Sequence, residues 1–244
     1  MKKWLLILSL VIYGCEKESI EYIEIVEECE CECESFPSSG LVAYYPFNGN
    51  TNDESGNENH PISDTSILTT DRKGDDDSSV MFSGESFTNY IQLDIDTSPI
   101  DVSSEYTLGL WVYKEGNGSS NPRVLEFWGN DGPGQLGITW YNNDEVTIGN
   151  ILNNGNVEVF NLQLSQQTWY YVVYSVSSNE INVYVDGDLI DTRNIDSPPS
   201  LVGSVSLGMM NHPGWDSFNG KIDDVGIWDR VLTIDEIKYI SNEF

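Results

Sequence analysis

The sequence predicts an all-β protein, an antiparallel sandwich of short strands closed by one short C-terminal helix. Three observations predict it. Ala, the strongest helix former, occurs once in 244 residues, at Ala43, whereas Gly, Asn, Ser, Thr, Tyr, Val and Ile dominate. Apolar and polar residues alternate through many short runs, the pattern of half-buried strands. Turn formers such as Asn153-Asn154-Gly155-Asn156 and Asp186-Gly187 separate those runs, as hairpins require.

Thirteen runs read as strands: residues 41–46, 79–82, 90–93, 106–113, 124–128, 137–141, 146–151, 157–162, 169–176, 181–185, 189–194, 204–208 and 221–228. That many strands around one core imply two sheets packed face to face. The closing helix starts at Thr233-Ile234-Asp235-Glu236, a capping box in which Thr233 accepts from the amide of residue 236 and Glu236 from that of residue 233. Ile237, Tyr239 and Ile240 follow as its apolar positions.

Ahead of the domain, Met1-Lys2-Lys3 and the nearly all-apolar run from Trp4 to Tyr13 read as an export signal, too short to cross a hydrocarbon layer of about 30 Å. Ile12-Tyr13-Gly14-Cys15 resembles the lipobox of bacterial lipoproteins, which implies a signal peptide over residues 1–14, a lipid on Cys15 and membrane attachment by that lipid alone. Residues 15–39 read as an acidic tether, with nine Glu and one Lys between Glu16 and Glu34 and then the linker Phe36-Pro37-Ser38-Ser39-Gly40. Acids directly after the lipidated Cys, here Glu16 and Glu18, resemble the tethers of lipoproteins carried to the outer face of the outer membrane. A surface-exposed place in a bacterial cell envelope is the expectation.

Cys29, Cys31 and Cys33 alternate with Glu and stand too close in sequence for a good intrachain disulfide between neighbours. Three fates stay open for them: a solvated stalk, cross-links between identical tethers brought together by Ile20, Ile23 and Val26 into a homo-oligomer, and a thiolate metal cluster. Charge is more decisive. Forty acids face eleven bases, a formal −29, and 31 of those acids with only 8 bases lie in residues 40–244. Such a polyanion repels phosphate backbones and anionic lipid head groups, which excludes nucleic acid as a partner.

Residues 40–244 carry five blocks in a fixed order. They are Leu41 to Phe47 with the loop Asn48 to Asn57; Val80-Met81-Phe82-Ser83-Gly84 with Tyr90 to Leu93; Tyr106 to Tyr113; Trp169 to Tyr174 with Val183-Tyr184-Val185-Asp186-Gly187; and Phe218 to Trp228 with Arg230 to Thr233 and Glu236-Ile237. The series resembles the laminin-G-like, concanavalin A-like jelly rolls of the pentraxin-like superfamily found in bacterial surface proteins. That resemblance implies a jelly roll that binds an external ligand, a glycan or a protein.

The loop from Asn48 to His60 is rich in Asn and Asp oxygens, the donors that a hard cation such as calcium takes six to eight at a time. Asx turns explain the same composition. The resemblance implies a structural calcium held between this opening loop and an acid on the last strand, which places the ligands at Asp53, Asn50 and Asp223 or Asp224. Adjacent acids point to opposite faces of a regular strand, so only one of the last two is expected to ligate. Two buried carboxylates also repel each other without a cation, a physical reason to expect one. Asp75-Asp76-Asp77 with Arg72 and Lys73 reads as a solvated turn.

Catalysis finds little support, and the protein is expected not to be an enzyme. A glycosidase would set two acids on one strand face about 5 to 5.5 Å apart when configuration is retained. Asp186, Asp188 and Asp191 have suitable spacing but begin in a hairpin turn, and Asp94 and Asp96 end a strand. No spacing places a Ser with His60 or His212 in a triad, and no phosphate-cradling glycine loop occurs. Aromatics point to binding instead. Trp111, Trp169 and Trp228 read as core, whereas Trp215, with Asn211 and Asp216 in a loop of turn formers, suits stacking on a sugar face while its neighbours take hydroxyls. Trp140 with Tyr141, Asn142 and Asn143 reads as a similar patch. The expectation is a calcium-stabilised binding module for carbohydrate or adhesion; a structural oligomer contacting protein, and a glycosidase, are the alternatives.

Overall fold

The computed structural model describes residues 35–85, 89–93, 105–129, 132–151, 157–199, 204–209 and 217–243. Cys15, Cys29, Cys31, Cys33, Asp94, Asp96, Asn211, Trp215 and Asp216 lie outside the described residues. Among the described residues are fifteen strands and one helix: β1 Leu41–Tyr45, β2 Pro61–Asp64, β3 Ile67–Thr69, β4 Ser79–Ser83, β5 Ile91–Leu93, β6 Tyr106–Lys114, β7 Arg123–Gly129, β8 Gly132–Trp140, β9 Glu145–Ile151, β10 Val157–Gln163, β11 Trp169–Val176, β12 Glu180–Val185, β13 Asp188–Asn194, β14 Ser204–Leu207, β15 Asn219–Trp228 and α1 Ile234–Glu243. All thirteen expected strands are present within a few residues. Two more, β2 and β3, join them: they are three or four residues long and half exposed, and Pro61 opens an edge strand where its missing amide costs nothing.

Every ladder among these strands is antiparallel. One sheet has eight strands in the order β13-β12-β11-β6-β15-β4-β3, with β1 also on β15; the other has seven, in the order β10-β9-β8-β7-β14-β5-β2. Between the sheets lies the main core, where Leu108, Leu110 and Val112 of β6 meet Leu125 and Phe127 of β7 and Ile138 and Trp140 of β8. These residues alternate with others on the opposite sides of their strands, as the pleat requires.

One core was expected, and a second cluster exists. On the outer face of the eight-stranded sheet, Trp111, Tyr171, Val173 and Trp228 pack against Leu232, Ile237 and Ile240 of the α1 region, with Phe36, Trp169 and Tyr184 at the edge. Two glycines make room for it. A Cβ on Gly109 would collide with the Tyr171 hydroxyl, and one on Gly226 with the Trp228 ring, so only glycine lets these rings lie flat on the sheet. The capping box holds α1 as the sequence predicts: the Glu236 amide donates to Thr233 Oγ1 at 3.2 Å and the Thr233 amide to Glu236 Oε2 at 2.8 Å.

Residues just ahead of the expected boundary at residue 40 pack on the sandwich. Phe36 sits 4.5 Å from Tyr44 between ring centroids, Trp228 Nε1 donates to the Pro37 carbonyl at 2.6 Å, and Arg230 Nε donates to the Ser39 carbonyl at 2.8 Å. An indole N–H and an aromatic ring on the sandwich thus take up polar and apolar groups of residues 36–39.

Candidate functional sites on the two sheet faces

β15 changes neighbours halfway along. Asn219 to Ile222 pair with β4 and Val225 to Trp228 with β1, so Asp223 and Asp224 fall in the gap between them. At the same point three steps along β15, from Asp223 to Gly226, match two along β6, from Trp111 to Gly109, and Asp224 takes a φ of +45°. This is a β-bulge, which adds a residue and re-aims side chains. It explains a departure from expectation. Ile222 and Val225 both face the main core, so the two acids between them share the outer face instead of straddling the strand.

Arg72, from the β3–β4 loop, lies between the two carboxylates. Its Nη1 donates to Asp223 Oδ2 and its Nη2 to Asp224 Oδ2 at 2.7 Å. The Tyr44 hydroxyl donates to Asp224 Oδ1 at 2.6 Å, and the Asp224 amide to Asp223 Oδ1 at 2.9 Å. The guanidinium also stacks on Trp111, 4.5 Å from the ring centroid. The side chains of Arg72, Asp223 and Asp224 are 9%, 2% and 10% exposed. Burial, and then the neighbouring Asp224 charge, push the Asp223 carboxyl above the usual carboxylate range, with Arg72 pulling the other way. Burial first, and Asp224 second, raise the Tyr44 hydroxyl, which keeps it a donor. Beside this clamp the Trp111 indole N–H and the Tyr171 hydroxyl are buried with no hydrogen-bond partner among the described residues.

The other two expected metal ligands are also engaged. Asp53 Oδ1 accepts from the amides of Tyr44 and Ser55 at 2.8 and 2.9 Å, and its Oδ2 from Ser55 Oγ and the Asn59 amide at 2.8 and 3.0 Å. Asn50 Oδ1 closes an Asx turn by accepting from the Asn52 amide at 2.7 Å. Asp53 and Asp224 are held at opposite ends of Tyr44, one by its backbone and one by its hydroxyl. Among the described residues no group of three or more His, Cys, Asp and Glu side chains could hold a metal ion. With the Arg72 guanidinium already between Asp223 and Asp224, and every carboxylate oxygen of Asp53, Asp223 and Asp224 accepting a hydrogen bond, the arrangement does not fit a calcium ion, which takes six to eight oxygen ligands.

Trp140 is corrected outright. Its ring is fully buried in the main core, 6.1 Å from Tyr170 between centroids, and cannot stack on a sugar. Strand alternation explains this, because Trp140 follows Leu136 and Ile138 on the inward side of β8. Lys114, itself fully buried, donates from Nζ to the Trp140 and Tyr141 carbonyls, and burial lowers its ammonium while Asp144 opposes that shift. Tyr141 is left half-buried at a hairpin end, its amide donating to the Glu145 carbonyl at 2.7 Å. Asp186 and Gly187 take φ of +51° and +84°, the tight hairpin turn read from the sequence, and Asp186 Oδ1 accepts from the Tyr171 amide at 2.8 Å.

The outer face of the seven-stranded sheet is polar. One rung runs Ser206, Glu126, Gly137, Gly149 across β14, β7, β8 and β9, and Thr139 pairs with Arg123 nearby. Arg123 Nη1 donates to Thr139 Oγ1 at 2.5 Å, and Arg123 Nε lies 3.9 Å from Glu126 Oε1. Glu126, Thr139 and Ser206 are buried, and neither Ser206 Oγ nor Arg123 Nε has a hydrogen-bond partner among the described residues. Gly208, Ser217 and Phe218 lie beside this face: the Gly208 amide donates to the Val124 carbonyl at 2.9 Å, the Phe218 amide to the Gly208 carbonyl at 2.8 Å, and Ser217 bridges Arg123.

The sequence places Arg72 in a solvated turn, whereas its side chain is nearly buried, and it gives Glu126 no role. Arg72 was hidden by its acidic neighbours, though a domain with eight bases gives any Arg weight; Glu126 had a clearer signal, as the lone acid in Val124-Leu125-Glu126-Phe127-Trp128. Among the described residues no helix is long and apolar enough to cross a membrane. No curated protein is a significant match to this sequence. Solved structures are similar at the level of fold. The binding domain of Paraclostridial Mosquitocidal Protein 1 is 14% identical with a TM-score of 0.68, over 83% of this chain and 52% of that one. The botulinum neurotoxin serotype D binding domain is 11% identical with a TM-score of 0.65, over 84% and 51%. The binding domain of botulinum neurotoxin DC, solved in complex with rat synaptotagmin II, is 15% identical with a TM-score of 0.66, over 85% and 52%. The chain thus spans about half the length of each. A sequence model of the concanavalin A-like lectin/glucanases superfamily, Laminin_G_3, matches residues 83–238, more than half the chain, and with the two-sheet sandwich above this makes the protein a member of that family.

Proposed function

We propose that the protein is a non-catalytic binding module for an external ligand, carbohydrate first, borne on a lipid-anchored acidic tether through Cys15 at the bacterial cell surface. One observation carries the binding reading. Of the two outer sheet faces, the eight-stranded one is covered by the protein's own α1 and residues 36–39, while the seven-stranded one carries a partly exposed Arg123 beside the buried Glu126, Thr139 and Ser206. Carboxylate, guanidinium and hydroxyl groups together suit the vicinal hydroxyls of a sugar, and Trp215, Asn211 and Asp216 are proposed as further recognition residues. Fold alone does not assign a ligand, so the site has to.

Glycan-array binding of the protein, followed by titration calorimetry of the best oligosaccharide, tests this. Trp215→Ala and Glu126→Gln are expected to weaken binding at least about tenfold with little change in melting temperature. Binding unaffected by both substitutions, or hydrolysis of the glycan, overturns the proposal. A protein ligand is the second reading, supported by the relative solved with rat synaptotagmin II. It predicts an empty glycan array.

A further inference from the structure

We infer that the guanidinium of Arg72 is the resident cation of the Asp223–Asp224 bulge, so that the folded domain needs no divalent ion there, contrary to what the family resemblance implies. Two carboxylates on one face of a bulge, both nearly buried, require a positive charge between them. Arg72 supplies it in the form best suited to the gap: a planar fork whose two nitrogens each take one carboxylate, with its flat face on Trp111. The remaining oxygens of the pair are taken by the Tyr44 hydroxyl and the Asp224 amide. An ion at this place would have to expel the fork, and its other expected ligand, Asp53, already accepts four hydrogen bonds.

The segment that delivers Arg72 is built to stay. Asp71 Oδ1 accepts from the amides of Lys73, Gly74 and Asp75, at 2.9, 2.8 and 2.8 Å. The Asp77 carbonyl accepts from the Gly49 amide at 2.7 Å, which ties the segment to the opening loop, and Lys73 Nζ reaches the Glu243 carbonyl at 2.9 Å, which ties it to α1. Held at these points, Arg72 loses little further freedom on pairing. The loop is therefore a covalent substitute for a metal: Arg72 ties it to the last strand, the Asp77 carbonyl to the opening loop and Lys73 to the closing helix.

Thermal unfolding of the full chain, followed by circular dichroism in excess EGTA and in excess calcium, provides the test. The two melting temperatures are expected to agree within about 1 °C, since an ion that binds neither state shifts nothing. Arg72→Gln is expected to lower Tm by roughly 10 °C, the size that follows from leaving a buried carboxylate pair without its partner in a domain of this length. Arg72→Gln combined with Asp223→Asn and Asp224→Asn removes the stranded charge and is expected to recover most of the loss. A rise of several degrees on adding calcium to the unmodified protein overturns the inference, as does an Arg72→Gln variant that melts with the parent. If Arg72→Gln does not fold, the triple variant decides: a folded triple supports the inference, and an equally unfolded one overturns it.

Discussion

The two outer sheet faces solve opposite problems with the same strand alternation. On the eight-stranded sheet the outward positions are Gly109, Trp111, Tyr171, Val173, Gly226 and Trp228, and the chain spends its C-terminal helix and residues 36–39 covering them. On the seven-stranded sheet the outward positions are Glu126, Gly137, Thr139, Gly149 and Ser206, and no described helix lies over them. Charges differ in the same sense. Arg72 and its two acids are tightly paired and nearly buried, whereas Arg123 stands 3.9 Å from Glu126 and its Nε has no hydrogen-bond partner among the described residues. The lesson is that one face carries an apolar cluster under the closing helix and the other a polar cluster, so substitutions of equal size should cost unequal amounts on the two.

The largest effect is expected from Trp228→Ala. Its ring fills the space above Gly226, touches the residues that α1 brings down and donates to the Pro37 carbonyl at 2.6 Å, so truncation opens a cavity and unfastens residues 36–39 together. A loss of about 3–5 kcal/mol in urea unfolding is expected. A loss below about 1 kcal/mol would mean that the cover adds nothing to the core, and the contrast between the faces would fail.

A matched glycine pair is the sharper test. Gly226→Ala places a methyl into the Trp228 ring and is expected to cost about 1–3 kcal/mol by overpacking. Gly149→Ala, on the other face, meets only ordinary contacts, Val159 Cγ2 at 3.7 Å and the Glu158 carbonyl at 3.9 Å. Its expected change lies within about 0.5 kcal/mol of zero, since a strand alanine loses less chain entropy than glycine. Equal costs at the two positions would show that both faces are packed alike.

Much of this was legible in the sequence, for identifiable reasons. Alternation located strands such as β12, whose Ile181 and Val183 are buried between less buried neighbours, while β6 and β11, covered on both sides, stood out as nearly continuous apolar runs. The same rule misplaced Asp223 and Asp224, since a bulge breaks the period and nothing local in Ile222-Asp223-Asp224-Val225 announces that β15 trades β4 for β1 at that point. It would have assigned Trp140 to the interior had its parity with Leu136 and Ile138 been followed; the polar neighbours Asn142 and Asn143 drew attention to the hairpin end instead. Arg72 meets acids 151 and 152 residues away, a pairing set by topology that no spacing in the chain encodes. The need for a cation was readable from two carboxylates; its identity was not.

The smallest effect concerns what holds α1 on its face. Glu236 completes the capping box and also receives the Arg230 fork, with Nη1 2.8 Å from Oε2 and Nη2 2.6 Å from Oε1. The hydrogen bond from Arg230, foremost, and those from Thr233 lower its carboxyl from 4.5 to about 2, against a smaller upward push from burial. Because the folded state holds this proton less tightly than the unfolded chain, the stabilisation is complete above about pH 4.5 and fades as pH falls toward about 2. The side chains of the pair are 27% exposed, so solvent screening keeps the contribution near 1 kcal/mol. Glu236→Gln is therefore expected to lower urea stability by about 1 kcal/mol at pH 7, with the difference from the parent shrinking steadily below about pH 4.5. A difference that stays constant down to pH 2 would mean that α1 is held by Ile237 and Ile240 alone, and that the charged end of the cover has no share in keeping that face closed.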